Sequence, residues 1–368
     1  MKILHVLNEL KFSGAEIMYV DAAKNFQQLG CKLYVLNTST KLGDFSDFFC
    51  KAGYQVLYKP YPKNFYQRIR YYNEIIQFVK SEKIDVIHTH RANMKFGMAY
   101  CAWKAHCKSI YTFHNVFKSH WYSYPINFLQ RWIAKHIFKC TFQTISDSVY
   151  NNEKEYYLNN TIKIYNWYGN TRFYPAKPYE KEAIRQELNI PLDSLVIISV
   201  GGCSPIKRHT DIIKALPQII KQYPNTIYLH LGEGESLKEE RKLAQELHVQ
   251  GYIRFYGNQS NVRKFLIASD LYLMPSKHEG IPITTIECMA CKIPTILYDV
   301  PGLCDFNKES ECSILIPENY EILAKTVITL YENKNQQRTI TDNAYTFVNK
   351  YFNMTENSTK IFELYSNN

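Results

Sequence analysis

Two carboxylates, a glycine and a proline sit together where an apolar run ends. The segment is PSKHEGIPITTIE, residues 275–287, with Glu279 and Glu287 eight positions apart. Pro282 suits the first turn of a helix, where its missing N–H is not needed. Gly280 permits an unusual backbone angle and close approach. The N–H groups of Gly280, Ile281 and Ile283 can then point outward together as a seat for an anion. Glu287, about one turn inside, can accept from a pair of ribose hydroxyls, and Glu279 stands near whatever the seat holds. Such a corner suits a nucleotide diphosphate-sugar. It equally fits a plain helix start whose acidic residues favour the dipole.

Other loops offer partners for that chemistry. In VGGCSPIKRH, Lys207 lies near the start of a helical pattern, where a cation opposes the dipole unless an anion lies between them. The alternative is an exposed surface lysine. In ELKFSGAE, Gly14 precedes a helical run and could let amides approach a phosphate, or could be a simple turn glycine. It does not form G-x-G-x-x-G. His114 ends the strand-like TFHN, where it could donate to a sugar hydroxyl or move a proton. His88 and His90 share a face of IHTH, but no third ligand is evident, so core or supporting roles are expected and no metal. Cys288 and Cys291 form a C-x-x-C without a second ligand pair, which reads as helix packing.

Alternating elements must position these loops. KILHVL, KLYVLNT, DVIHTH and SIYTFHN read as strands, with helices over 15–29, 65–82 and 93–106 between them. A proline-bearing stretch at 172–180 reads as a linker. The pattern then restarts: SLVIISVGG, TIYLHLGEG, YIRFYG, LYLMP and PTILYD as strands, with helices over 208–222, 236–247, 261–268 and 283–291. Residues 335–366 read as helical throughout. This predicts an α/β chain of two doubly wound, Rossmann-like domains with mostly parallel sheets, whose ligands bind beyond the carboxyl ends of strands in a cleft between them.

The totals agree. A chain of 368 residues exceeds what one core comfortably fills. Apolar residues make up 46% and charged residues 21%, which excludes a disordered chain. No secretory signal or membrane-length apolar run is visible, so a cytosolic location is expected, with the ten cysteines as small hydrophobes. Residues 1–178 carry 24 Lys+Arg against 11 Asp+Glu, so the first half is expected to meet something anionic.

In order along the chain, FSGAE, TFHN, YNWYGNTRFYP, VGGCSPIK, LGEGE and EGIPITTIE resemble the motifs of glycosyltransferase family 4, retaining enzymes of the GT-B fold. The resemblance covers the full length. It implies domains at 1–175 and 176–345, with a helix at 346–368 returning to the first. Matched by position, Glu287 would hold the ribose, Glu279 the donor sugar and Lys207 the diphosphate. The amides of Gly280, Ile281 and Ile283 would help hold the donor. Gly14 would approach phosphate or acceptor, and His114 the donor sugar. There are departures: Gly202 stands where the family has an arginine, Ser13 where the N-terminal loop has its first glycine, and Arg208 where a glycine follows the phosphate lysine. Arg208 or Lys292 could supply the missing charge. No Asp-x-Asp occurs, which agrees with a metal-independent site and no cofactor beyond the donor, a UDP-sugar first and a GDP-sugar second. The resemblance implies sugar transfer to a glycan or lipid-linked hydroxyl in surface polysaccharide assembly.

Two further expectations concern partners. Within INFLQRWIAKHIFK, Leu129, Trp132, Ile133 and Ile137 fall on one helical face and Arg131, Lys135 and Lys139 on another. The segment could rest on an anionic bilayer at the inner face of the plasma membrane, or pack into the core with a solvated basic edge. No nucleic-acid-binding motif is present. The competing functional readings are a GT-B sugar-nucleotide 2-epimerase and an inactive sugar-nucleotide-binding subunit.

Overall fold

The computed structural model describes residues 1–366. It divides the chain into two compact units: Met1–Trp167 together with the chain from Met354 onward, and Tyr168–Asn353. The crossing falls at 167/168 and the return at 353/354, where the sequence suggested 175/176 and 345/346.

The first unit holds a seven-stranded sheet. Its strands are β1 (Lys2–Leu7), β2 (Lys32–Asn37), β3 (Gln55–Tyr58), β4 (Val86–Thr89), β5 (Lys108–Phe113), β6 (Thr141–Thr144) and β7 (Ile162–Lys163), in the order β3-β2-β1-β4-β5-β6-β7. The second unit holds β8 (Val196–Val200), β9 (Ile227–Leu231), β10 (Ile253–Gly257), β11 (Leu271–Met274), β12 (Thr295–Tyr298) and β13 (Ile314–Ile316), in the order β10-β9-β8-β11-β12-β13. Every pairing is parallel. Continuous apolar strands such as VIISV, buried at all positions, are what a parallel sheet covered on both faces requires.

Each sheet reverses its order beside its first strand, at β1/β4 and at β8/β11. The loops leaving those two strands diverge there, and a crevice opens beyond their carboxyl ends. The loop after β8 carries Lys207 and the loop after β11 carries Glu279, so the fold itself brings residues 72 positions apart to one place.

The helices form for local reasons. Phe65–Glu82 begins at Asn64, whose side chain accepts from the Tyr66 N–H, and ends at left-handed Lys83; it buries Tyr71, Ile75 and Val79. His209–Gln222 buries Ile212, Ile213, Leu216 and Ile219 along one face. The tail is helical as predicted but in two pieces, Lys334–Tyr351 and Met354–Ser366. The second piece packs in the first unit: Asn25 Nδ2 donates to Ser358 Oγ at 3.2 Å, and Tyr365 OH lies 2.7 Å from His88 Nδ1.

Helix Tyr124–His136 departs from the core-packed alternative, and its basic stripe is incomplete. Arg131 is buried, not part of a basic stripe. Its Nε and Nη2 donate to the two Glu153 carboxylate oxygens, each at 2.8 Å, and its guanidinium lies 3.5 Å from the Tyr157 ring centroid. That pair carries Arg131 and Ala134 inward. Leu129, Trp132 and Ile137 are left on the exposed side.

Replacing Tyr365 tests whether the last helix holds the first unit together. Tyr365→Phe should cost about 1 kcal/mol through the lost hydrogen bond, and Tyr365→Ala about 3–5 kcal/mol through the cavity. Urea melts that place Tyr365→Ala level with the parent would contradict this packing.

Candidate active site

The loop after β8 is held open by its own neighbours. Gly201 N–H donates to Leu231 O at 3.0 Å and Cys203 N–H to Glu233 O at 3.0 Å, tying the loop to the end of β9. A side chain at Gly201 would begin 3.4 Å from Lys207 Cε, so the lysine stem lies across that residue. Lys207 Nζ then reaches Glu279 Oε1 at 2.7 Å. Lys207 is placed as the sequence suggested, just before helix His209–Gln222, with a carboxylate as its counter-charge.

The β11 corner turns on Gly302 and not, as the sequence suggests, on Gly280. Gly302, at φ +84°, is the left-handed residue here, whereas Gly280 is not among the positive-φ glycines. A Cβ at Gly302 would lie 2.2 Å from Glu279 O, so only glycine lets the two loops touch. Glu279 N–H donates to Pro301 O at 3.0 Å, and the N–H groups of Thr285 and Ile286 reach Pro282 O. The N–H groups of Gly280, Ile281 and Ile283 donate to no acceptor among the described residues. These three unpaired amides stand at the start of helix Ile283–Ala290, an arrangement able to hold an anion. Glu287 is buried one turn inside that helix.

Two features of the loop answer the departures. Arg208, the helix N-cap residue, sits at φ +51°, a left-handed position that suits the glycine it replaces. Arg208 is ion-paired with Glu318, and Lys292 with Asp342 at 2.7 Å, so both cations suggested as substitutes for the missing arginine have carboxylates of their own. At Gly202 a Cβ would meet only Glu233 O, at 3.4 Å, so a side chain can start there.

In the first unit, Gly14 opens helix Gly14–Asp21 after β1, and His114 follows β5. His114 is not solitary. Its Nε2 lies 3.0 Å from His90 Nδ1, and His90 Nε2 lies 3.2 Å from His5 Nδ1. His5 and His88 are paired across β1 and β4. His5 is thus the third histidine that the sequence did not reveal beside His88 and His90, their nitrogens lying within 4.8 Å of one another. Both nitrogens of His88 are already used, on Tyr365 OH and Thr112 Oγ1 at 2.7 Å each, so the group is a hydrogen-bonded chain. Burial lowers the pKa of His114 to about 4 and that of His5 to about 3; burial and the neighbouring histidines push His88 and His90 well down. The chain is neutral near pH 7, which leaves His114 Nδ1 available to a ligand as a neutral donor or acceptor.

Sequence reasoning also missed a second buried group, Cys203, His209, His230 and Glu240, behind the Lys207 loop. Its members are 203, 209, 230 and 240 in a chain without any metal-ligand spacing, and no sequence signal groups them.

Family models match most of the chain. Residues 180–347 match glycosyl transferases group 1, and residues 12–150 match Glycosyltransferase Family 4. The chain belongs to this family, and its fold is GT-B. It is 28% identical over 187 residues to the putative teichuronic acid biosynthesis glycosyltransferase TuaC of Bacillus subtilis, a match covering 50% of this chain but only 45% of that protein. It is 22% identical to alpha-monoglucosyldiacylglycerol synthase of Acholeplasma laidlawii, over 90% of this chain and 88% of that one. Anabaena Alr3699/HepE in complex with UDP-glucose superimposes with a TM-score of 0.84 at 20% identity, covering 100% of this chain and 99% of that one.

Two outcomes follow. Each of the four histidines binds a proton more readily unfolded, near 6.5, than folded. Their contribution is complete above pH 6.5 and is lost as pH falls from there toward 4, by ~1.4 kcal/mol per pH unit for each. All four tryptophans (103, 121, 132 and 167) lie in the first unit, so their fluorescence should show its melting point dropping between pH 6.5 and 5. A flat profile would contradict a neutral chain. Gly202→Arg should tighten UDP binding about tenfold by adding a charge-assisted hydrogen bond, read by calorimetry; weaker binding would show that the loop cannot present a second cation.

Proposed function

We propose that the protein is a retaining, metal-independent hexosyltransferase that moves a sugar from a nucleotide diphosphate-sugar to a hydroxyl of a glycan or lipid-linked acceptor. The observation that carries this reading is the corner at β8/β11: Lys207 and Glu279 in contact, beside the unpaired amides of Gly280, Ile281 and Ile283. Lys207 and those amides take the charge of the leaving diphosphate, which grows as the bond from the anomeric carbon to phosphate oxygen breaks. Glu287 accepts from the ribose. Glu279 contacts the donor sugar, and His114 donates to or accepts from a sugar hydroxyl. The acceptor oxygen bonds to the anomeric carbon from the face the diphosphate leaves, and its proton passes to the departing phosphate oxygen. Configuration is thereby retained. The UDP-glucose of the Anabaena structure supports a UDP-sugar donor.

The first unit supports a membrane-proximal acceptor, with a role in surface polysaccharide assembly at the cytoplasmic face of the membrane. No described helix is long and apolar enough to cross a bilayer. Helix Tyr124–His136 instead exposes Ile126 (62%), Leu129 (53%) and Trp132 (48%), following Trp121 at 86%. Lys118, Lys135 and Lys139 lie in the same stretch of chain. An apolar ridge with basic flanks matches an anionic lipid surface.

Glu287→Ala should weaken UDP-sugar binding tenfold or more, while Glu279→Ala should lower turnover more than binding. Product analysis decides the class: a glycosidic product with retained configuration supports the reading, and a new free sugar nucleotide would replace it with an epimerase. Magnesium or manganese should leave the rate unchanged. For the surface, Trp132→Glu should release the protein from anionic vesicles in flotation without lowering its melting point; unchanged flotation would exclude this ridge as the contact.

A further inference from the structure

Behind the Lys207 loop lie four side chains that the donor site does not use. Cys203, His209, His230 and Glu240 are exposed by 1%, 3%, 0% and 1%. They come from four places: the loop after β8, the first residue of helix His209–Gln222, strand β9, and helix Leu237–Glu246. One ligand-type atom from each lies within 4.8 Å of the others. Cys203 Sγ is 3.9 Å from His230 Nε2, His230 Nε2 is 2.9 Å from Glu240 Oε2, and His209 Nδ1 is 3.5 Å from Glu240 Oε1.

Protein hydrogen bonds do not satisfy this cluster. His209 Nδ1 and Glu240 Oε1 face each other 3.5 Å apart and are buried without a hydrogen bond. Buried polar atoms are rarely left so, and two facing each other beside a thiol and a second imidazole ask for a group that accepts several lone pairs at once. A cation does this.

We infer that Cys203 Sγ, His209 Nδ1, His230 Nε2 and the Glu240 carboxylate form a structural zinc site. Zinc prefers four ligands from sulfur, imidazole nitrogen and carboxylate in a tetrahedron, and a closed site is structural. Bonds of ~2.0–2.3 Å place tetrahedral ligand atoms ~3.2–3.7 Å apart. Three of the separations, 2.9, 3.5 and 3.9 Å, bracket that range, and the ligand atoms all lie within 4.8 Å of one another. Charge closes as well. One thiolate and one carboxylate cancel the two positive charges, and two imidazoles stay neutral, so no net charge is buried. On binding, the Cys203 thiol bond to hydrogen is exchanged for a bond to zinc, and the proton leaves to solvent.

The placement gives the ion a task. Cys203 and His209 stand four residues before and two after Lys207, so a zinc bonded to both clamps the loop at each end and ties it to β9 and helix Leu237–Glu246. This site stands whether or not the donor reading does.

The test uses the full chain, stripped with chelator and titrated with cobalt and then zinc. One cobalt per chain is expected, with the visible absorption of a tetrahedral ion and a near-ultraviolet thiolate charge-transfer band, both abolished by one equivalent of zinc. Zinc should raise the melting point. Cys203→Ser should remove the charge-transfer band, and Glu240→Leu, which keeps the volume, should weaken uptake at least a hundredfold while circular dichroism stays that of the parent. If neither variant folds, the spectrum of the parent decides alone. No stoichiometric uptake, an octahedral spectrum, or full uptake in both variants would overturn the site. None of these readouts involves sugar transfer, so failure here leaves the donor reading untouched.

Discussion

The ion pair between Lys207 and Glu279 is the contact on which the second unit's site depends. A lysine ahead of a helix start faces the positive end of the amide dipoles, an unfavourable place for a cation. Glu279, 2.7 Å away, offsets this, and both side chains are mostly shielded from water, with 21% and 12% exposed. A pair so placed gives up hydration for Coulomb attraction, and the two nearly cancel. Its consequence is therefore position more than stability. Lys207 is held against Glu279, next to the unpaired amides that follow it in the chain.

The fold makes that contact inexpensive in chain entropy. Parallel strands β8 and β11 lie side by side although β9 and β10 intervene in sequence, and the loops leaving them meet at the point where strand order reverses. Gly302 admits the close approach of the β12 loop to Glu279. The first unit repeats the plan with β1 and β4, but fills the strand ends with a neutral histidine chain instead of an ion pair. His90 stands between His5 and His114, so the ring that can meet a ligand is oriented from inside the sheet. The two strand ends differ in kind: one carries an ion pair beside unpaired amides, the other a row of neutral imidazoles.

Much of this could be read in the residues. The strand–helix alternation, helices 65–82 and 208–222, and the loops bearing Lys207, Glu279 and His114 follow from local periodicity and turn chemistry. What the sequence hid depends on distant partners. The inward turn of Arg131 needs Glu153, which is 22 residues on. His5 joins His90 only through the pairing of β1 with β4, and the strand KILHVL gives no sign of it. Cys203, His209, His230 and Glu240 come from separate elements, and only the folded second sheet groups them. Gly280 lies in the motif, while the left-handed turn is made by Gly302 on the next loop.

A crystal structure of the protein with UDP tests the central contact most directly. The expected result is a diphosphate within hydrogen-bond distance of Lys207 Nζ and of the Gly280, Ile281 and Ile283 amides, with the Lys207–Glu279 pair opened and the ribose hydroxyls on Glu287. A diphosphate bound elsewhere, with that ion pair still closed, would contradict it.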